Sequence, residues 1–375
     1  MRRIYLDHNA STPIAPEVAT VMRDAMDSAF GNPSSPHWAG MPARGMVEKG
    51  RRQVADLLDC LPEEVVFTSG GSEANNFALK GAFFASTRGR PHIITTQVEH
   101  PAIVAPCRFL ERLGAEITWL SVDGTGRIDP DDLRRAITAD TILVSIMHAN
   151  NEVGTIQPIQ DCAAIAEEHG VQFHTDAAQS VGKIPVRVDE LGVDLLTVAG
   201  HKFYAPKGIG ALYVRNGVDL EPLIHGAGHE GGRRAGTESA LLAVALGKAC
   251  VLAGDLSDMA RVKAVRDRFW AAIRDRFGKK VVLNGHPDLR LPNTLNASFV
   301  GRIGSDILEC LDGVAASTGS ACHAGRVELS PVLEAMGVPP DVGMGAVRFS
   351  LGRATTDEEI DTVVTTLANS LSSDV

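Results

Sequence analysis

From about residue 64 the chain alternates short apolar runs with stretches of helical spacing, and that rhythm limits the folds open to it. The runs fall at 65–68, 92–95, 117–120, 142–147, 171–174, 195–199 and 210–214. Strands separated by helices assemble into a mainly parallel sheet with helices on both faces. The predicted class is therefore α/β, with a mainly parallel seven-stranded sheet. Ligands bind such sheets beyond the carboxyl ends of the strands. The chemically distinctive residues sit at those ends: 69–72, His100, Asp176, His201 and Lys202.

The chain has 375 residues, and single cores tend to split beyond ~250–300 residues. Upstream of the rhythm, Val18, Val21, Met22, Ala25, Met26 and Ala29 recur at helical spacing between Pro16 and Gly31. After about residue 258 the texture changes. A long charged helix at 256–277 leads into strands at 281–283, 294–299 and 347–351, and a last helix starts near Asp357. This reads as a large domain at 16–258 followed by a smaller α/β domain at 259–375.

Charge narrows the function classes. With 36 basic against 46 acidic residues the net charge is −10, which argues against a nucleic-acid-binding surface. Arg51-Arg52 and Arg233-Arg234 are local exceptions; the first pair reads best as a solvated face. No run approaches the ~20 apolar residues of a membrane span. The opening residues reach Asp7 without an apolar signal region, so a cytoplasmic location is expected. The six cysteines form no Cys-x-x-Cys pair, so no metal site is expected. Five of them, at 60, 107, 162, 250 and 310, sit among apolar neighbours and read as small core residues. Cys322 differs: its segment, 315–326, is built of small and polar residues and suits a mobile surface loop.

Three segments suggest chemistry directly. Strand 65–68 runs into Gly70-Gly71 and a helix start at Ser72, where free N–H groups and the helix dipole attract a phosphate, unless the turn is merely a cap. Lys202, at the end of an apolar run, is placed to hold a carbonyl cofactor as a Schiff base. Asp176, at another strand end, would be costly to bury unpaired, and a pyridinium N–H would satisfy it. Segment 226–238 contains a literal Gly-x-Gly-x-x-Gly at Gly226, Gly228 and Gly231. Charged residues and glycines follow it in place of an apolar helix face, so no dinucleotide site is expected.

This order of parts resembles the pyridoxal-phosphate enzymes of fold type I. The openings at 7–13 and 31–35, the loop at 315–326 and the segment 346–353 narrow the resemblance to the cysteine desulfurase and selenocysteine lyase family, within the class V aminotransferases. The resemblance spans essentially the whole chain and assigns residues 1–15 to the small domain. It implies pyridoxal 5′-phosphate on Lys202, with Gly71, Ser72 and His201 at the phosphate and Asp176 at the ring nitrogen. Gln179 and Asn151 would lie near the phenolic oxygen, and His100 would stack on the ring and move protons. Asn9, Asn151 and Arg348 would bind the substrate carboxylate, with Arg353 the competitor for that role. Cys322 would take sulfur from L-cysteine as a persulfide, leave L-alanine, and pass the sulfur to an acceptor protein, for which an iron–sulfur scaffold is the candidate. His323 and Arg326 are candidates to favour its thiolate. Thr237 would reach the cofactor phosphate of a second subunit, implying a homodimer.

The chain departs from the family pattern at Ala199, where a phosphate-binding serine is common, and this predicts weaker cofactor binding. Two rival readings stand beside the desulfurase. One is a selenocysteine lyase releasing selenium from L-selenocysteine, which the Ala199 region favours. The other is a non-catalytic, partner-binding scaffold of the same fold, against which Asp176, Lys202 and Cys322 speak.

Overall fold

The computed structural model describes residues 3–318 and 328–371, and for Cys322, His323, Arg326 and Val327 the backbone pairing alone. Seven strands form one sheet in the spatial order Val65–Thr68, Gly210–Val214, Leu195–Ala199, Gln172–Asp176, Thr141–Ser145, His92–Thr96 and Glu116–Leu120. Every neighbouring pair is parallel except those made by Gly210–Val214, which runs antiparallel to both its neighbours. That strand follows Leu195–Ala199 through a short turn with no crossover helix, and so short a return permits only antiparallel pairing. Gly210 must be glycine, because a Cβ there would lie 2.4 Å from the Val198 carbonyl oxygen and 2.8 Å from Gly70 Cα.

Period-two alternation sends the strand side chains to two apolar layers. Ala211, Tyr213, Leu196, Val198 and Phe173 enter one layer, against helices Gly40–Leu58 and Ala240–Ala253. Leu212, Val214, Leu195 and Ile93 enter the other, against Gly71–Ala85 and Pro101–Glu111. Each such large side chain, fully buried, contributes roughly 1.5–3 kcal/mol. Among the described residues no single helix is long and apolar enough to cross a membrane.

A second sheet is antiparallel, in the order Ala346–Ser350, Thr294–Phe299, Val281–Asn284. Helices Ser257–Phe277 and Asp357–Leu371 cover it, and its core includes an edge-on pair of Phe269 and Phe349 with centroids 5.0 Å apart. Ile4–Tyr5 pairs in parallel with Val314–Ala315. From there the opening segment runs between the two sheets: Asn9 N donates to Ser350 Oγ at 2.9 Å and Thr12 N to the His201 carbonyl at 2.9 Å.

Several expectations need correction. The strand expected at 171–174 is Gln172–Asp176, because Asp176 still pairs with Thr197 across the sheet; this makes Asp176 the last strand residue. The run 142–147 stops pairing at Ser145, and Met147 passes into the loop beyond. Of the five supposed core cysteines, Cys107, Cys162 and Cys250 are buried, Cys60 is half-buried and Cys310 is exposed at the end of the short helix Gly304–Glu309.

Arg51 is no solvated residue. It is buried, donates from Nη1 and Nη2 to Glu230 at 2.6 and 3.0 Å and stacks over the Phe67 ring; Glu230 also accepts from Phe67 N at 2.9 Å. Arg51→Ala strands the Glu230 carboxylate in the interior, and a loss of about 3–5 kcal/mol in chemical denaturation is expected. The paired replacement Arg51→Met with Glu230→Leu should cost much less.

Candidate active site

A cavity of about 600 Å³ opens beyond the carboxyl ends of the parallel strands. Ten of the residues singled out in the sequence line it: Asn9, Gly71, Ser72, His100, Asn151, Asp176, Gln179, His201, Lys202 and Arg348. They come from seven separate chain segments, so the sheet, not local sequence, brings them together. The volume is in the usual range for a small-molecule site, roughly 300–1,000 Å³.

One wall is the turn into helix Gly71–Ala85. Gly70 adopts φ +148°, a conformation that favours glycine, and turns the chain so that the helix opens onto the cavity. Its first N–H groups have no intrahelical acceptor and make an anion cradle. Glu73 stands nearby, yet burial, which would raise its pKa, is outweighed by hydrogen bonds from Arg234 and Ser69, and the carboxyl is held below its ordinary range. Arg234 Nε reaches Glu73 Oε1 at 2.8 Å, and Ser69 N reaches Oε2 at 2.8 Å.

Asp176 is buried at the cavity floor. Its Oδ2 accepts from Asn75 Nδ2 at 2.7 Å and its Oδ1 from Ala178 N at 2.9 Å. His100 does two things at once. It caps helix Pro101–Glu111, with Nδ1 accepting from Ala102 N at 3.1 Å, and it lines the cavity. That bond places the proton of the neutral ring on Nε2. Burial lowers its pKa, Asp176 opposes this, and Lys202 adds to it.

Lys202 ends a 3-10 turn, Gly200–Lys202, and its Nζ donates to the carbonyls of Asn9 at 2.7 Å and Ala10 at 2.9 Å. Burial, then the nearby Arg348 charge, pull its pKa down to about 8 against the opposing pull of Asp176 and Asp7. Burial, Lys202, Lys207 and His100 bring His201 to about 4, so its ring is neutral at physiological pH. The backbone after Lys202 is held in place: Tyr204 sits at φ +72°, its N donates to Thr12 Oγ1 at 2.6 Å, and its hydroxyl accepts from Arg353 N at 2.9 Å.

Arg348 lies within strand Ala346–Ser350 and is buried. Nη2 reaches Asp7 Oδ1 at 2.8 Å and Nη1 reaches the Asn151 carbonyl at 3.0 Å, leaving further N–H groups of the fork for a ligand at the cavity. Arg353 does not compete: it stacks over Tyr204 and donates to the Leu252 carbonyl at 2.9 Å. The Asn9 side chain faces inward, with Nδ2 on Thr294 Oγ1 at 2.9 Å and Oδ1 accepting from Asn293 at 3.0 Å, so Asn9 serves the cavity through its carbonyl. Thr237 is exposed and does not line the cavity of its own chain. The side chains of Cys322, His323 and Arg326 lie outside the described residues.

Residues 4–363 match the aminotransferase class-V family. The cysteine desulfurase IscS of Dictyoglomus turgidum is 50% identical over 365 residues, covering 96% of this chain and 92% of that protein. The cysteine desulfurase IscS of Methanosarcina thermophila is 45% identical, covering 97% of this chain and 90% of that protein. The chain belongs to the cysteine desulfurases of this family. Among solved structures, a NifS-like protein superposes with a TM-score of 0.92 at 36% identity, each chain being 99% covered. SspA in complex with cysteine superposes with a TM-score of 0.84 at 36% identity, over 94% of this chain and 100% of that one. The fold is thus that of the NifS-like proteins, the type I fold of pyridoxal-phosphate enzymes.

Within this family member, several residues in or behind the cavity wall escaped the sequence reading. Asn75 holds Asp176; the available signal was an asparagine, a poor helix former, on the inner side of an otherwise apolar helix. Lys207 follows Lys202 in the same glycine-rich turn and adds a second cation to the wall. Lys183 is buried behind Gln179. Nothing local distinguishes Thr12, whose contacts with the Lys202 segment span the chain.

Proposed function

We propose that this chain is a pyridoxal 5′-phosphate-dependent cysteine desulfurase that converts L-cysteine to L-alanine and carries the sulfur on Cys322. One observation carries the reading: a lysine amine depressed to about 8, a buried carboxylate and a helix N-terminus converge on one cavity that also holds Arg348. That donor set fits pyridoxal phosphate. Lys202 would bond its aldehyde carbon, Asp176 would pair with the ring N–H, and the opening amides of Gly71–Ala85 with Ser72 and His201 would hold the phosphate. When bound, the cofactor would supply an electron sink for carbanion chemistry at the substrate α-carbon.

The chain's own residues then divide the work. Arg348 binds the substrate α-carboxylate, giving up part of its pairing with Asp7. Lys202 and His100 move protons at the substrate α-carbon; the neutral ring of His100 carries its proton on Nε2, away from the capping bond. The Cys322 thiolate attacks the substrate sulfur. An S–S bond forms as the Cβ–S bond breaks, and the carbon fragment takes up a proton to leave as alanine. Backbone bonds between Ser317 and Arg348, at 2.7 and 3.1 Å, tether the start of the Cys322 segment beside the carboxylate site. Cys322 follows by about five residues, within roughly 18 Å of extended chain. An acceptor thiol would later take the terminal sulfur.

The depressed Lys202 amine has a pH signature. At pH 7 about a tenth of such amines are neutral, against well under a thousandth at the ordinary lysine value. Loading of the cofactor-free protein should therefore accelerate up to about pH 8 and level off about one unit above it. Stopped-flow growth of the visible absorption band measures this; acceleration continuing past pH 10 would speak against the assignment.

Ala199 lines the cradle at the position of the common serine, and its Cβ lies 3.1 Å from where a Gly71 Cβ would stand. Ala199→Ser adds one hydroxyl donor, and tighter cofactor binding by about tenfold is expected in equilibrium dialysis, consistent with roughly 1.5 kcal/mol for a hydrogen bond to a charged group.

The two-domain reading, 16–258 against 1–15 with 259–375, is supported by separate apolar cores around the two sheets. A homodimer is supported by the exposed apolar group Met26, Phe30, Trp38 and Met41, with Trp38 at 80% exposure. The loop bearing Thr237 is fastened by Glu230 and Arg234, which presents Thr237 outward, as a trans contact requires. Assaying alanine, sulfide and selenide from L-cysteine and L-selenocysteine tests the activity. Faster turnover of selenocysteine with Cys322 dispensable would favour the lyase; a protein that binds no cofactor would favour the scaffold.

A further inference from the structure

Lys183 is an anomaly just behind the cavity wall, where it backs Gln179. It is 8% exposed. Its Nζ donates to Gln179 Oε1 at 2.9 Å and lies 3.5 Å from Asn9 Oδ1, both neutral acceptors. Among the described residues no carboxylate pairs with it, and the charges that act on it, Lys202 and Arg348, are both cations that add to burial in lowering its pKa to about 7. An amine buried among cations is costly to keep. Packing alone would be served better by methionine.

What Lys183 does for its neighbour is specific. A glutamine amide has one accepting and one donating end of nearly equal shape, and only its hydrogen bonds decide which end points where. An ammonium group has donors and no acceptor, and the neutral amine that this lowered pKa allows still has N–H groups to donate to Oε1. By occupying Oε1, Lys183 turns the NH₂ end of Gln179 the other way. One N–H of that end goes to the Asn9 carbonyl at 3.0 Å, the same oxygen that accepts from Lys202. Gln179 lines the cavity, so the second N–H is the group it can offer there.

We propose that Lys183 is a positioning residue that fixes the polarity of the Gln179 amide, so that Gln179 presents a donor to the ring oxygen of bound pyridoxal phosphate. The inference rests on the cofactor reading above. Without Lys183 one of the two hydrogen bonds that hold this polarity is lost and the bond to the Asn9 carbonyl remains; the flipped amide becomes more populated, and it would present its own oxygen to an anionic ring oxygen, which repels it.

The test is the pH dependence of the visible absorption band of the loaded enzyme. A donor at the ring oxygen favours the proton-poor form, so its loss should raise the midpoint. Lys183→Met is expected to raise the midpoint by about one pH unit and to speed cofactor release about tenfold, equivalent to the loss of one modest hydrogen bond. Lys183→Arg, which keeps the donors, should restore part of both. Lys183→Met removes a buried cation, so its melting temperature should hold or rise; Lys183→Gln is the second variant should it fail to fold. The deciding measurement is a double-mutant cycle. In a Gln179→Ala background, Lys183→Met should produce almost no further shift. A shift of full size in that background would mean that Lys183 acts by charge alone and would overturn the proposal. A wild-type band that Lys183→Met leaves unmoved would also overturn it, while leaving the cofactor reading intact. A wild-type protein with no band at all would sink both.

Discussion

Lys202→Ala is expected to abolish the visible band of the loaded protein and to lower L-cysteine turnover by about 10³-fold or more. The loss follows from two tasks resting on one nitrogen: the covalent hold on the cofactor and proton movement at the substrate α-carbon. No neighbour takes over either task. Lys183 Nζ is committed to Gln179, and Lys207, though it lines the cavity, comes five residues after Lys202, beyond the 3-10 turn that sets the Lys202 amine on the Asn9 and Ala10 carbonyls. Lys202→Arg should be equally inactive, because a guanidinium does not lose its proton in this pH range. The fold should survive, since among the described residues Nζ bonds only the carbonyls of Asn9 and Ala10, at a cavity wall open to water. A Lys202→Ala protein that kept the band and a tenth of the activity would contradict the account.

Cys322→Ala should give a different failure. Alanine and sulfide release from L-cysteine are expected to fall nearly to background, while the visible band and its change on adding L-cysteine persist, because the thiol acts after the substrate is bound. The other cysteines are poor substitutes. Burial pushes the thiols of Cys60, Cys107 and Cys162 up to about 12, and that of Cys250 up as well, so none supplies a thiolate near neutral pH. Cys310 is exposed but is not part of the cavity wall, and Cys310→Ala should leave turnover unchanged. Full sulfide release by Cys322→Ala would remove the persulfide step from the mechanism.

These expectations draw on features that were unequally visible in the chain. The seven strands were legible because each is a short run rich in apolar residues; six are buried on both faces, while the edge strand Glu116–Leu120 is only partly buried. Asp176 and Lys202 could be read for the same reason: a charge at the end of such a run needs a partner. Arg51 could not. Its burial depends on Glu230, a residue far along the chain, and an Arg-Arg pair on a helix looks the same whether solvated or paired. Cys310 was misread because apolar neighbours in sequence do not specify which side of a short helix faces out. Asn9 was read as a substrate contact, yet its amide is used up by Thr294 and Asn293, and its value to the site lies in a main-chain oxygen that no side-chain pattern reveals. Lys183 falls in the same class: a lysine reads as surface until the fold closes around it.

Two lysines with depressed pKa values, the buried Lys183 and the half-buried Lys202, thus lie close together, and the covalent role falls to Lys202 alone. The direct test is borohydride reduction of the cofactor-saturated protein followed by peptide mass spectrometry. A pyridoxyl group on Lys202 is the predicted result. Finding it on Lys183, or finding Lys202 unmodified, would contradict the account at its centre.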